Sequence, residues 1–273
     1  MSSAPVLSPT DSTPWLVRPR PVPRASLRLF CFPYAGGAAS VFHRWQASLP
    51  PHVEVCPVQL PGRGKRIQET PFTDVASLVE AAAAALLPFF DRPFAFFGHS
   101  MGGLIAFELA RHLRRAGGPA PAHLFISGRR APQIPSEAAP TYDLPEPEFV
   151  EAVRQLEGTP AGVLEHPELR HLVLPLLRAD FSVCETYAYR PETPLDCPIS
   201  VFGGLQDRDV PRQNLEPWAE MTTGPVATRL LPGGHFFVNE QQPLLLRVLA
   251  QELQKFAAGV FSSRVETKLR TNY

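Results

Sequence analysis

A serine, an acid and a histidine stand in this sequence where nucleophilic acyl chemistry needs them. Gly98-His99-Ser100-Met101-Gly102 follows the short apolar run Phe94 to Phe97. It precedes a run in which Leu104, Phe107, Leu109 and Ala110 recur at roughly helical spacing as far as Gly117. The pattern predicts a strand, a sharp turn and a helix. So tight a turn forces a strained backbone at the serine, and glycines on both sides keep neighbouring side chains from colliding. It lifts the hydroxyl clear of the sheet and sets Ser100 at a helix N-terminus, where free N–H groups and the helix dipole favour developing negative charge. A chain with 18 glycines also meets Gly-x-Ser-x-Gly by chance, the serine being only a helix cap. The flanking elements and the partners below weigh against that.

The acid and the base follow in order. Ile199 to Gly204 reads as a late strand that hands over to Leu205-Gln206-Asp207-Arg208-Asp209. An acid just past a late strand is placed to orient a catalytic histidine. Asp207 and Asp209 both qualify on spacing, and Asp207 is favoured because it is nearer the strand end. Val226 to Pro232 reads as the last strand, followed by Gly233-Gly234-His235 and a helix from Pro243 to Phe256. Of the eight histidines only His235 lies in such a loop, from which a general base can reach the serine hydroxyl. His99, inside the turn, and His123, inside a strand, read as packing. The order Ser100, Asp207, His235 is that of the α/β-hydrolase fold.

Other elements must hold these groups. Leu27 to Phe32 reads as an early strand ending in Pro33-Tyr34-Ala35-Gly36-Gly37-Ala38, a small-residue loop able to bring a backbone N–H close to an oxyanion. The amides of Ala35 and Met101 are the expected donors. Ser40 to Leu49 reads as a short helix, Val53 to Leu60 as a strand, and Pro61 to Arg66 as a loop carrying Arg63, Lys65 and Arg66. That loop either greets an anion or is simply solvated. Asp74 caps a helix ending near Pro88, and Ala122 to Gly128 is the next strand. From Arg129 to Pro198 the alternation stops, and Pro-rich turns separate amphipathic pieces at Glu148 to Leu156 and Leu169 to Tyr187. An insertion there is a lid. The apolar surplus of the second piece lines a hydrophobic chamber or forms the core of a small helical subdomain, and the two are compatible.

Bulk properties set the frame. A chain of 273 residues with 44% hydrophobic content and strand–helix alternation on both sides of that insertion fits one α/β domain at 26–258, with a lid at about 129–198, a flexible leader at 1–25 and a flexible tail at 259–273. Lys+Arg and Asp+Glu both total 26, so bulk charge argues for neither nucleic acid nor an anionic membrane. Cys31, Cys56, Cys184 and Cys197 lie far apart and read as reduced thiols in or near the core. The first residues lack the apolar core of a signal peptide, and no window reaches the ~18 apolar residues of a membrane span. A cytoplasmic location is expected.

Taken together, Phe32-Pro33-Tyr34-Ala35-Gly36-Gly37, Gln59-Leu60-Pro61-Gly62-Arg63, Gly98-His99-Ser100-Met101-Gly102-Gly103, Leu174 to Phe181 and Gly233-Gly234-His235-Phe236-Phe237 resemble the type II thioesterases, the stand-alone editing enzymes of polyketide and non-ribosomal peptide synthesis. The resemblance runs from about Leu27 to Phe256. It implies a triad of Ser100, Asp207 and His235, an oxyanion hole from the Ala35 and Met101 amides, a mobile helical lid, and no metal or cofactor. It also implies a partner, an acyl or peptidyl carrier protein bearing an acyl group on its phosphopantetheine arm. Thioesterases that release medium chains from fatty acid synthase share these motifs. A carboxylesterase or lipase acting on oxygen esters, and a non-catalytic binding protein on a hydrolase scaffold, are the remaining readings.

Overall fold

Side chains alternate along Leu27–Phe32 (β1), sending Phe30 and Phe32 into one layer and Leu29 and Cys31 into the other. The strand is buried from end to end, as a parallel strand covered on both faces must be. The structure, a computed structural model, describes residues 13–18, 21–156, 158 and 161–254. Val53–Pro57 (β2), Phe94–His99 (β3), Leu124–Ser127 (β4), Ile199–Gly204 (β5) and Val226–Leu231 (β6) join β1 in a sheet of order β2-β1-β3-β4-β5-β6, with every pair parallel. With helices on both faces, this is the α/β-hydrolase architecture expected from the sequence.

Val75–Leu86 (α1) and Met101–Arg115 (α2) cover the Phe30 face. Asp74 caps α1 by accepting the Ser77 N–H at 2.9 Å. Between β4 and β5 the insertion forms Glu146–Gln155 (α3), Ala161–Glu165 (α4) and Pro167–Glu185 (α5). Phe237–Glu240 (α6) and a helix over 242–254 (α7) cover the opposite face, where Leu245, Leu246, Leu249 and Leu253 pack on Leu29, Phe97 and Phe202. Residues 255 and 256, expected to end α7, lie outside the described residues.

Three expectations need correction. Ser40 to Leu49 is not one helix but two 3₁₀ turns, Ala39–Phe42 and Trp45–Ala47. Phe42 and Trp45 both bury against Phe97, with ring centroids 6.1 and 4.7 Å away, and their three-residue spacing suits a tighter winding than the α-helix. β2 stops at Pro57, and beyond it the chain pairs with the leader: Leu16 bridges Val58 antiparallel, and Gln59 N–H donates to Trp15 O at 2.8 Å. The leader is therefore not loose throughout. Trp15 is buried, 6.3 Å from the Phe72 ring, with the Arg66 guanidinium 4.5 Å above it. Residues 1–12, 19–20 and the expected tail at 259–273 lie outside the described residues.

The insertion has a core of its own, in which Phe149, Val150, Val153, Leu164, Leu174 and Leu177 pack together. Leu172 is 61% exposed, so part of the apolar surplus of α5 faces solvent rather than a chamber. All four cysteines are free. Burial pushes the thiols up, Cys184 to about 11 and Cys197 to about 12. Among the described residues no helix is long and apolar enough to cross a membrane. If Trp15 is core, Trp15→Ala should cost about 3 kcal/mol in urea unfolding, the scale of a buried aromatic truncation. A loose leader would give no change.

Candidate active site

All strands being parallel, their C-terminal ends share one edge, and the loops leaving β3, β5 and β6 meet there. Ser100 sits at φ 53°, ψ −114°, and among the described residues it alone, glycines aside, has a positive φ. The turn explains the flanking glycines. A Cβ on Gly98 would stand 2.0 Å from Gly102 O, and one on Gly102 would stand 2.1 Å from Phe32 O. A Cβ fits neither position, so the turn requires glycine at both.

The β5 and β6 loops bring Asp207 and His235 to the serine. Ser100 Oγ lies 3.0 Å from His235 Nε2, and His235 Nδ1 lies 2.8 Å from Asp207 Oδ2. With Nδ1–H donating to the carboxylate, Nε2 is left to accept the serine proton. Asp207 Oδ1 accepts the Asp209 and Val210 amides at 3.0 Å each, so the fully buried carboxylate is fixed in orientation. Of the two acids left open by spacing, Asp207 is bonded to the histidine, while Asp209 is exposed and contributes a backbone N–H.

His99 lies beneath this relay, its ring 5.2 Å from that of His235 and its Nδ1 2.9 Å from Ser127 Oγ. Complete burial, reinforced by the neighbouring His235, holds its pKa well below the usual imidazole value. His123 stacks on Phe125 at 4.2 Å and meets Ser200 Oγ at 2.9 Å within the sheet.

Of the two expected oxyanion donors, Met101 follows Ser100 directly, and Ala35 lies in the loop after β1 whose start packs against Gly102. Met101 opens α2, so its N–H has no partner within that helix. After β1, Gly37 N–H donates to Tyr34 O at 2.8 Å with Gly36 at φ 75°, closing a type II-like turn over Tyr34 to Gly37. A trans peptide points its N–H opposite to its C=O, so with Tyr34 O drawn into the turn, the Ala35 N–H faces out of it. Among the described residues neither the Ala35 nor the Met101 amide has a hydrogen-bond partner.

Sequence reasoning missed what holds this loop. Arg63 and Arg66, read as an anion-facing or solvated pair, are buried. Arg66 pairs with Glu69 and donates to Gln59 O at 2.9 Å, and Arg63 forms a two-pronged bridge to Asp180 of α5 at 2.7 and 2.8 Å. Only Lys65 of the three cations is exposed. One signal was available: Asp180 stands four residues after Leu176 and three before Val183, a lone acid on the apolar face of a helix.

The chain matches the thioesterase domain family over residues 27–253. The gramicidin S biosynthesis protein GrsT of Aneurinibacillus migulanus is 45% identical over 240 residues, covering 88% of this chain and 94% of that one. Among solved structures, RedJ, a thioesterase from the prodiginine pathway of Streptomyces coelicolor, is 41% identical with a TM-score of 0.80, over 91% of this chain and 96% of that chain. The type II thioesterase BorB from the borrelidin cluster is 34% identical with a TM-score of 0.78, over 89% and 97%.

Two measurements test the geometry. Asp207→Asn should lower turnover by about 10⁴-fold by stabilising the wrong histidine tautomer, and Asp209→Asn should be mild; a reversed order in steady-state assays would move the acid to Asp209. His99 should also tie stability to pH. As pH falls through 6.5 the unfolded chain takes up a proton that folded His99 refuses. Stability should therefore decline by up to about 1.4 kcal/mol per pH unit below that point. Urea titrations of His99→Gln should show this slope removed.

Proposed function

The chain belongs to the thioesterase family, and from that premise we propose that it is a serine thioesterase of the type II class, with Ser100 as nucleophile, His235 as general base and Asp207 as the acid that orients it. The observation that carries this reading is the relay of 3.0 and 2.8 Å from Ser100 through His235 to Asp207 at a turn beside unpartnered backbone amides.

The chemistry follows from these groups. His235 Nε2 takes the Ser100 proton as Oγ attacks the thioester carbonyl, and the oxyanion gathers at the Ala35 and Met101 N–H groups. Collapse of the tetrahedral adduct breaks the C–S bond, and imidazolium gives its proton to the departing thiolate. Water then enters, loses a proton to His235 and attacks the acyl-serine. Carboxylic acid leaves, and Ser100 recovers its proton.

The substrate class is an acyl group on the phosphopantetheine arm of an acyl or peptidyl carrier protein. Cutting it free clears misprimed or stalled units from a polyketide or non-ribosomal peptide synthase. This assignment is supported by relatives that come from gramicidin, prodiginine and borrelidin biosynthesis. A thioester on a long arm reaches a serine set beside a helical insertion, and carrier contacts remote from the reacting carbon supply energy for positioning. Of the basic loop, only Lys65 is free to meet a carrier.

Carrier-bound acyl groups should accordingly be hydrolysed with higher kcat/KM than the same groups on N-acetylcysteamine. Lys65→Glu should lower only the carrier-bound value, with the loss shrinking at high salt. Equal kcat/KM on the two thiols would remove the carrier from the reaction.

A further inference from the structure

The longest helix of the insertion sends a carboxylate into the loop after β1. Asp180 Oδ2 accepts the Gly36 N–H at 2.7 Å and Arg63 Nη1 at 2.8 Å, and Oδ1 accepts Arg63 Nη2 at 2.7 Å. Arg63 Nη1 also donates to Gly37 O at 3.1 Å, and its Nε to Pro61 O at 3.2 Å. The pair is out of solvent, with side chains 5% and 3% exposed. Gln59 ties the two loops together, accepting the Ala39 N–H at 3.2 Å and donating to Arg63 O at 2.9 Å.

These bonds grip one particular piece of backbone. Ala35–Gly36 is the central peptide of the Tyr34–Gly37 turn. Rotating that peptide is what separates the two common turn forms, and it changes ψ of Ala35 and φ of Gly36. Asp180 fixes its N–H, while Arg63 fixes the Gly37 carbonyl beyond it. Leu177, one helical turn before Asp180, fills the remaining room: a Cβ on Gly36 would stand 2.8 Å from Leu177 Cδ2. The start of the same loop is set against α2, since a Cβ on Gly102 would meet Phe32 O and Pro33 O at 2.1 and 2.8 Å. The Ala35 N–H sits on the preceding Tyr34–Ala35 peptide, whose carbonyl accepts the Gly37 N–H at 2.8 Å. With the central peptide held by Asp180 and Gly37 held by Arg63, that bond stays closed, and the direction of the Ala35 N–H depends on where α5 sits.

We propose that Asp180 and Arg63 are a positioning pair that aims the Ala35 amide at the oxyanion, so that the seating of α5 and the completion of the oxyanion hole are one event. The inference rests on the reading of Ser100 as nucleophile. Neither side chain touches the reacting atoms; both act through the turn.

The test separates aiming from simple stabilisation. Asp180→Asn keeps size and Arg63→Lys keeps charge, and each loses the two-pronged charged bridge. On an acyl-N-acetylcysteamine thioester each should lower kcat by about 10²-fold, the scale of one lost oxyanion donor, with KM little changed. A trifluoromethyl ketone, which Ser100 converts to a tetrahedral oxyanion, should weaken in parallel, while a matching thioether that occupies the site unreacted should bind as before. The double variant should be no worse than the poorer single one, because the two residues act as a unit. An unchanged kcat with a lowered melting temperature would reduce the pair to a fold contact and overturn the proposal, as would equal weakening of ketone and thioether. Should Asp180→Asn fail to fold, Arg63→Lys carries the same comparison. A wild-type protein that cleaved no thioester, yet whose ketone affinity depended on the pair, would sink the substrate assignment and leave this inference standing. Ketone affinity that survived Ser100→Ala would remove the nucleophile beneath both.

Discussion

The site is built outward from a turn with no spare volume. Gly98 is pressed on the carbonyl of Gly102, and Gly102 on the carbonyl of Phe32, each so closely that a methyl group would stand about 2 Å from an oxygen. Those two contacts join the end of β1, the end of β3 and the first turn of α2 into one body. The strained φ of 53° at Ser100 is thus held between two close backbone contacts, one on either side of it. The same contacts set the loop that begins at Pro33 beside the start of α2. The N–H groups of Met101 and Ala35 are thereby brought from distant parts of the sequence to the same edge of the sheet, and Asp180 and Arg63 hold the Ala35 loop further.

Asp207 and His235 come from loops at the same edge. Asp207 is saturated: two backbone amides hold one oxygen and His235 the other. Its neighbour Asp209 matters through its main chain. His99 illustrates a constraint of charge. In the proposed reaction His235 becomes an imidazolium when it takes the serine proton, and a second cation 5.2 Å away would oppose that step. Burial keeps His99 neutral, so the base works beside an aromatic ring rather than a like charge.

The parts that were legible in the sequence are those whose cause is local. Alternation of apolar residues gives β1 and β3, Asp74 announces α1, and Gly98 and Gly102 give the turn, because each effect acts within a few residues. The parts that were not legible depend on partners far along the chain. Arg63 and Arg66 look like a solvated pair in any window around them; Asp180, which buries Arg63, lies 117 residues away. Trp15 falls in a Pro- and Ser-rich leader whose composition says loop, and only the open edge at Val58 and the ring of Phe72 give it a place. Phe42 and Trp45 carry helical spacing too short to distinguish an α-helix from 3₁₀ turns until Phe97 sets the distance.

The buried bridge also bears on how the insertion can move. Removing two charges from water costs several kcal/mol per ion, and well-packed apolar residues commonly serve stability as well or better. Stability alone therefore gives no reason for an acid on the apolar face of α5. A carboxylate does what leucine cannot: it accepts the Gly36 N–H in one direction while holding a guanidinium that reaches Gly37 O. Lifting that part of α5 would strand both charges and free the turn. Pro175 lies inside the same helix, five residues before Asp180, and having no N–H it cannot bond back to the preceding turn. The helix is divided there into an anchored half, with Leu176, Leu177 and Asp180 against the catalytic loops, and an outer half where Leu169 and Leu172 are exposed. Phe149 of α3 packs with Leu177 and Phe181 of the anchored half, so α3 is tied to the bridge through the core of the insertion and does not belong with the outer half. A swing about Pro175 that leaves the oxyanion loop held is then a matter for the outer half of α5.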